Sequence, residues 1–273
     1  MLIIAVYFGG ILALLGVIWA SAGFDAMVMW SARLTAGNTP GAVLLVLATF
    51  SGMAIGPMIA AKVLHKRPAA TVFGPRRGVL RGFGLGAGVV GGIIGLSVLL
   101  IDPGYAPVPN VDASVWLAFL PLALLGLLIQ TGAEEVLFRG YLQQQLAARF
   151  KSPLIWAVLP SLVFGLLHFN ASADASIAWL TVAATGLFGL LAADLTRVTG
   201  NIGVAWGFHF ANNAFALLIV ALDGPLSGLA LYTTPFTAAD TATLLPLIAR
   251  DMAVTLSLWA VLRVVIRVTT ART

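Results

Sequence analysis

The sequence predicts an all-α, polytopic integral membrane protein of about eight transmembrane helices. Two observations predict it. Of 273 residues, 60% are hydrophobic and only 9% charged, with a mean hydropathy of +1.02; soluble domains carry roughly 25% charge. The apolar residues also fall into eight runs near the length of about 20 needed to cross a bilayer. Such a composition cannot make a water-facing surface, so soluble, disordered and collagen-like classes are excluded. The absence of cysteine excludes disulfides, zinc–thiolate sites and cysteine nucleophiles.

The runs are residues 2–22, 41–64, 79–101, 116–138, 153–169, 177–195, 202–222 and 244–266. Each is too long for a strand and none alternates with period two, so helices are predicted. The first lacks a basic flank and is longer than a signal-peptide core, so it reads as a retained helix. Helix breakers separate the runs: Asn38-Thr39-Pro40, Gly74-Pro75, Asp102-Pro103-Gly104, Pro107, Pro109, Gly200 and Gly224-Pro225. No linker interrupts the chain, which reads as a single transmembrane domain over 1–273, and no transporter-like internal repeat is visible.

The third run is dense in glycine. Gly86-x-Gly88-x-x-Gly91 matches a dinucleotide fingerprint in letters, but no strand precedes it and it lies in an apolar span. Gly84/Gly88, Gly88/Gly92 and Gly91/Gly95 instead predict close helix packing.

Basic residues predict orientation. Lys62, Lys66, Arg67, Arg76, Arg77, Arg81, Arg139, Arg149, Lys151, Arg197, Arg263, Arg267 and Arg272 all fall on one side of an eight-helix zigzag. Of the 15 Lys and Arg, only Arg33 and Arg250 fall opposite, with Asp25, Asp102, Asp112, Asp174, Asp223 and Asp240. The positive-inside rule then places both termini in the cytoplasm. The net charge of +5 is thereby assigned to topology and a lipid bilayer, with no nucleic-acid partner expected. Short loops and the lack of a targeting tail point to a bacterial inner membrane.

Ionisable residues inside a bilayer are costly and usually functional. The two Glu are adjacent, Glu134 and Glu135, and of three His, His65 lies in a basic loop while His168 and His209 lie in apolar runs. On a helix Glu135 and Arg139 are i,i+4 neighbours that can pair, with Glu134 turned away. Phe164 and His168 share a face, as do His209 and Asn213. Asp194, Arg250 and Asp251 lie near run ends, within reach of polar headgroups. Two carboxylates, two imidazoles and an amide on three helices offer a base, an acid and an oxyanion donor, the equipment of water-mediated peptide hydrolysis. The same residues also suit a noncatalytic scaffold or, less well, a proton-coupled transporter.

The ordered patterns Glu134-Glu135-x-x-x-Arg139, Phe164-x-x-x-His168 and His209-x-x-x-Asn213 resemble the CAAX protease and bacteriocin-processing (Abi) family of intramembrane proteases. The resemblance covers about 116–222. It implies a type II prenyl endopeptidase fold with a conical or cavity-type intramembrane site, and a membrane-tethered protein or peptide as substrate, lipidated or prenylated in eukaryotic members. It implies Glu134 as the base activating water, assisted by His168, with His209 and Asn213 stabilising the oxyanion and Glu135, Arg139 and Phe164 supporting. Metal use stays open: Glu134, His168 and His209 make a possible His₂Glu site for Zn²⁺ or another divalent ion, or Glu134 acts directly, the reading slightly favoured. The oligomeric state is also open.

Simple boundaries set Glu134 near the cytoplasmic end of the fourth helix. They set His168 about 15 residues into the fifth, roughly 22 Å from its cytoplasmic start. The two depths agree only if the fourth helix runs past Arg139 towards Leu146, with Arg139 paired inside the protein, and the fifth begins late, near Trp156.

Overall fold

The computed structural model describes residues 1–270; Arg272 lies outside them. The chain forms α1 (Leu2–Ala22), α2 (Phe24–Ala36), α3 (Pro40–His65), α4 (Arg76–Leu100), β1 (Val108–Pro109) and α5 (Ala113–Glu135). A π-helical stretch, Val136–Gln143, carries α5 into α6 (Gln144–Ala147). A second π turn, Leu154–Val158, opens α7 (Leu159–Leu166), and α8 (Ala175–Thr199) follows. Then come α9 (Gly203–Ala214) with a π turn over Phe215–Ile219, β2 (Val220–Asp223), β3 (Tyr232–Thr237) and α10 (Thr241–Thr270).

The fold is that of an all-α multi-pass membrane protein. Among the described residues six helical runs are long and apolar enough to span: Leu2–Ala22, Pro40–His65, Ala69–Leu100, Ala113–Ala147, Ala175–Thr199 and Thr241–Thr269. The other two apolar segments make shorter helices. The run 153–169 is a helix over Leu154–Leu166 only, and 202–222 leaves its helix at Ile219 and continues as β2. In the second case hydropathy does not register the stop, because Val220, Ala221 and Leu222 remain apolar. The long fourth helix is present, since the Ala113–Ala147 run passes Arg139. α2 and the small sheet were not expected.

Contacts divide the chain into two compact units: 1–70, 97–137 and 212–237 form the first, and 71–96, 138–211 and 238 onward the second. In the first, α3 packs on α1 and on α5. Gly52 and Gly56, one turn apart, let the backbone of α1 approach at Tyr7 and Ile3, and Gly126 admits Leu47 against α5. β3 lies between β1, antiparallel, and β2, parallel. The Trp116 indole donates to the Leu218 carbonyl at 2.8 Å, tying the start of α5 to the segment that leads into β2.

In the second unit α8 packs against α7 and α10. Its core joins Val90, Ala192, Leu195, Val204, Phe208, Leu258 and Leu262. Asp194 accepts hydrogen bonds from Arg197 (3.0 Å), from the Trp259 indole (3.0 Å) and from Arg263. It therefore clips α8 to α10, where the sequence had suggested a headgroup contact. The glycine packing of α4 also differs from expectation. A side chain on Gly82 or Gly86 would meet the α9 backbone around Val204 and Phe208, whereas Gly84, Gly88, Gly92 and Gly95 face open space. Helical spacing admits either set, and the partner selects one.

Gly86→Ala should therefore destabilise by about 1–3 kcal/mol through overpacking. Gly88→Ala, with no neighbour to strike and a better helix former in place, should stay at or slightly above wild-type stability. Thermal unfolding of both variants in detergent, followed by tryptophan fluorescence, checks the contrast.

Candidate active site

The residues singled out by the sequence form two groups, one in each unit. In the first unit α5 ends in polar residues that its length of apolar chain delivers to a buried position. Gln130, Glu134 and Glu135 are all buried, Glu135 completely. Gln130 and Glu134 are one helical turn apart on one face, and the Gln130 amide donates to Glu134 Oε1 at 2.8 Å. Asn213, near the end of α9 and half-buried, donates from Nδ2 to Gln130 Oε1 at 3.0 Å. Glu134 and Asn213 are thus linked through a third side chain. Gln130 is not among the residues the sequence singles out, because it carries no ionisable group; a neutral amide in the middle of an apolar run is its signal.

The second unit assembles its group around one ring. Phe164, 3% exposed, lies 4.8 Å from the His168 ring and 6.3 Å from the His209 ring, perpendicular to the latter. The Arg139 guanidinium stacks over the same ring at 4.9 Å, with Phe188 and Phe138 at 5.7 and 5.9 Å. Arg139 also donates to the Gly189 carbonyl at 3.1 Å. It is 2% exposed, inside the protein as expected. Gly140 beside it is required by close approach, since any Cβ there would strike the Val72 carbonyl.

His209 is buried on α9, with Phe188 at 4.8 Å. His168 departs from expectation. It lies beyond the end of α7, past the C-cap residue Leu167, and is exposed. Its Nδ1 sits 2.8 Å from the Phe164 carbonyl oxygen. A carbonyl only accepts, so this bond places the proton of a neutral imidazole on Nδ1 and leaves a lone pair on Nε2. The fifth helical segment begins at Leu154, two residues before the expected late start.

All three motif-bearing helices carry π turns, a feature frequent at functional sites. One has a visible cause. Pro160 has no N–H, so the Trp156 carbonyl lacks its α-helical partner, and the turn before α7 widens to i→i+5.

Among the described residues no three His, Asp or Glu side chains are gathered as a metal site.

Residues 116–215 match the family described as type II CAAX prenyl endopeptidase Rce1-like. The similarity to that family is confined to this segment. It runs from α5 to the end of α9 and contains every motif residue named above. A second comparison finds 32% identity over 188 residues to YyaK, an uncharacterized protein of Bacillus subtilis, covering 63% of this chain and 59% of YyaK. The chain thus matches somewhat under two thirds of that relative's length. No solved structure matches it.

Because Phe164 touches Arg139 and both imidazoles, Phe164→Ala should cost more than any other single truncation in this group, about 3–5 kcal/mol. Phe164→Tyr, which keeps the ring, should remain folded. The melting temperatures of the two purified variants provide the check.

Proposed function

We propose that this protein is an intramembrane endopeptidase that hydrolyses a peptide bond in a membrane-tethered, lipidated protein or peptide. The observation that carries the reading is the Rce1-like segment 116–215 with its three motifs intact and in order. The amide chain joining the buried Glu134 to the half-buried Asn213 supports it.

In the proposed reaction Glu134 takes a proton from a water molecule as the water oxygen bonds to the scissile carbonyl carbon. His168, through its Nε2 lone pair, assists in that proton transfer. The carbonyl oxygen becomes an oxyanion, stabilised by an N–H of Asn213 and by His209, as preorganised donors do in acyl transfer. Collapse breaks the C–N bond, and the proton held by Glu134 passes to the leaving amine. Glu135, Arg139 and Phe164 hold the geometry. The chemistry uses Glu134 directly, and no step passes through a metal. The protein is proposed to lie in a bacterial inner membrane with both termini in the cytoplasm, its site opening to that side.

The test is cleavage of an internally quenched, farnesylated peptide ending in a CAAX sequence by the full-length protein in liposomes. Wild type should cleave it. Glu134→Gln should lose about 10²–10⁴-fold in rate, and Asn213→Ala about 10²–10³-fold. No cleavage by wild type, or a wild-type rate from well-folded Glu134→Gln protein, sinks the proposal.

A further inference from the structure

We propose that Gln130 is a positioning residue of the hydrolytic site, whose side-chain amide couples the Glu134 carboxylate to Asn213 and fixes the direction in which Asn213 presents its N–H. The inference rests on the reading of Glu134 as base and Asn213 as oxyanion donor, and adds a residue outside all three motifs.

Hydrogen-bond chemistry determines the direction of the chain of contacts. A carboxylate only accepts, so Gln130 must turn its NH₂ towards Glu134, as the 2.8 Å contact has it. The Gln130 oxygen then lies at the other side of the same planar amide and can itself only accept. Asn213 must meet it with Nδ2, as at 3.0 Å. The reverse orientation of the Asn213 amide would set two oxygens against each other. One Nδ2 hydrogen is used by Gln130, and the second is left pointing in a direction that Gln130 has fixed. An Asn without this partner rotates about its terminal torsion, which is broad and nearly two-fold. It would then present oxygen as readily as N–H to a developing oxyanion.

Burial makes a casual role expensive. Gln130 is 7% exposed, and an unsatisfied amide in apolar surroundings is costly. Both ends of Gln130 are satisfied by site residues, and its place one turn before Glu134 holds it on the same helix face. A purely structural polar residue would bond as well to any backbone carbonyl nearby, as Thr131 does to Leu127 at 2.7 Å.

The test uses the full-length protein in liposomes with the same farnesylated, quenched peptide. Gln130→Met keeps the volume and removes both hydrogen bonds. It should lower kcat by about 10- to 100-fold, the scale of a misplaced group, with KM unchanged. In the Asn213→Ala background the same change should have little further effect, because Gln130 acts through Asn213. Gln130→Glu keeps length and the acceptor for Asn213 but removes the donor to Glu134. It should also lower kcat, and it decides the matter if the Met variant melts early. Wild-type kcat in a folded Gln130 variant, or losses that multiply in the double variant, overturn the proposal. Glu134→Gln measured alongside separates the two levels. A wild-type rate there defeats the reading of Glu134 as base. A dead Glu134→Gln with active Gln130 variants defeats only the role of Gln130.

Discussion

A fully ionised guanidinium inside a membrane protein has to be compensated where it sits, and the second unit is arranged around doing so for Arg139. Arginine does not lose its proton in a protein, so neutralisation offers no escape. The faces of Phe164, Phe188 and Phe138 and the Gly189 carbonyl surround it. A desolvated cation over an aromatic face gains about 2 kcal/mol or more. Phe164 then serves two purposes with one ring, since its remaining surface meets His168 and His209. The Phe of the Phe-x-x-x-His pattern is thus intelligible as packing: it transmits the fixed position of the guanidinium to both imidazoles.

The backbone around these residues is adjusted as well as the side chains. An i→i+5 turn rotates everything beyond it relative to an uninterrupted α-helix. Val136–Gln143 begins immediately after the Glu pair, Leu154–Val158 precedes Phe164, and Phe215–Ile219 follows Asn213 by one residue. Each motif helix is therefore re-aimed next to its functional residues. For α7 the cause is the missing N–H of Pro160; beside Arg139, Gly140 permits backbone contact with Val72. Side-chain spacing alone, counted at 3.6 residues per turn, misplaces residues across such turns.

This explains which parts of the molecule were legible in the sequence. α1 falls on the residues expected, because an unbroken apolar run ends at Gly23, whose φ of 88° a helix cannot continue through. α2 went unread because Asp25, Arg33 and small residues dilute its hydropathy. The run 202–222 looked like a span because Val220, Ala221 and Leu222 are as apolar in a strand as in a helix. His168 was expected within a helix that in fact stops at Leu166. For α4 the spacing showed that glycines pack, but the choice of Gly82 and Gly86 belongs to α9. The site residues stood out because charge is scarce enough to inspect singly. Gln130 did not, because scarcity of charge says nothing about a neutral amide.

A neutral amide is nonetheless the group best suited to its position. A second carboxylate at 130 would repel Glu134, and a cation would hold Glu134 in a permanent ion pair that competes with water for its proton-accepting oxygen. A hydroxyl is too short to reach two partners one turn and one helix away. Glutamine spans the gap, donates at one end and accepts at the other, and carries no charge into the apolar run. Its two ends are chemically different, so the contact has a direction: as long as Glu134 is a carboxylate, the Asn213 amide has one favourable orientation. In the proposed reaction the proton-accepting group and the oxyanion donor are thereby set by one another before substrate arrives, which is the preorganisation that electrostatic catalysis requires.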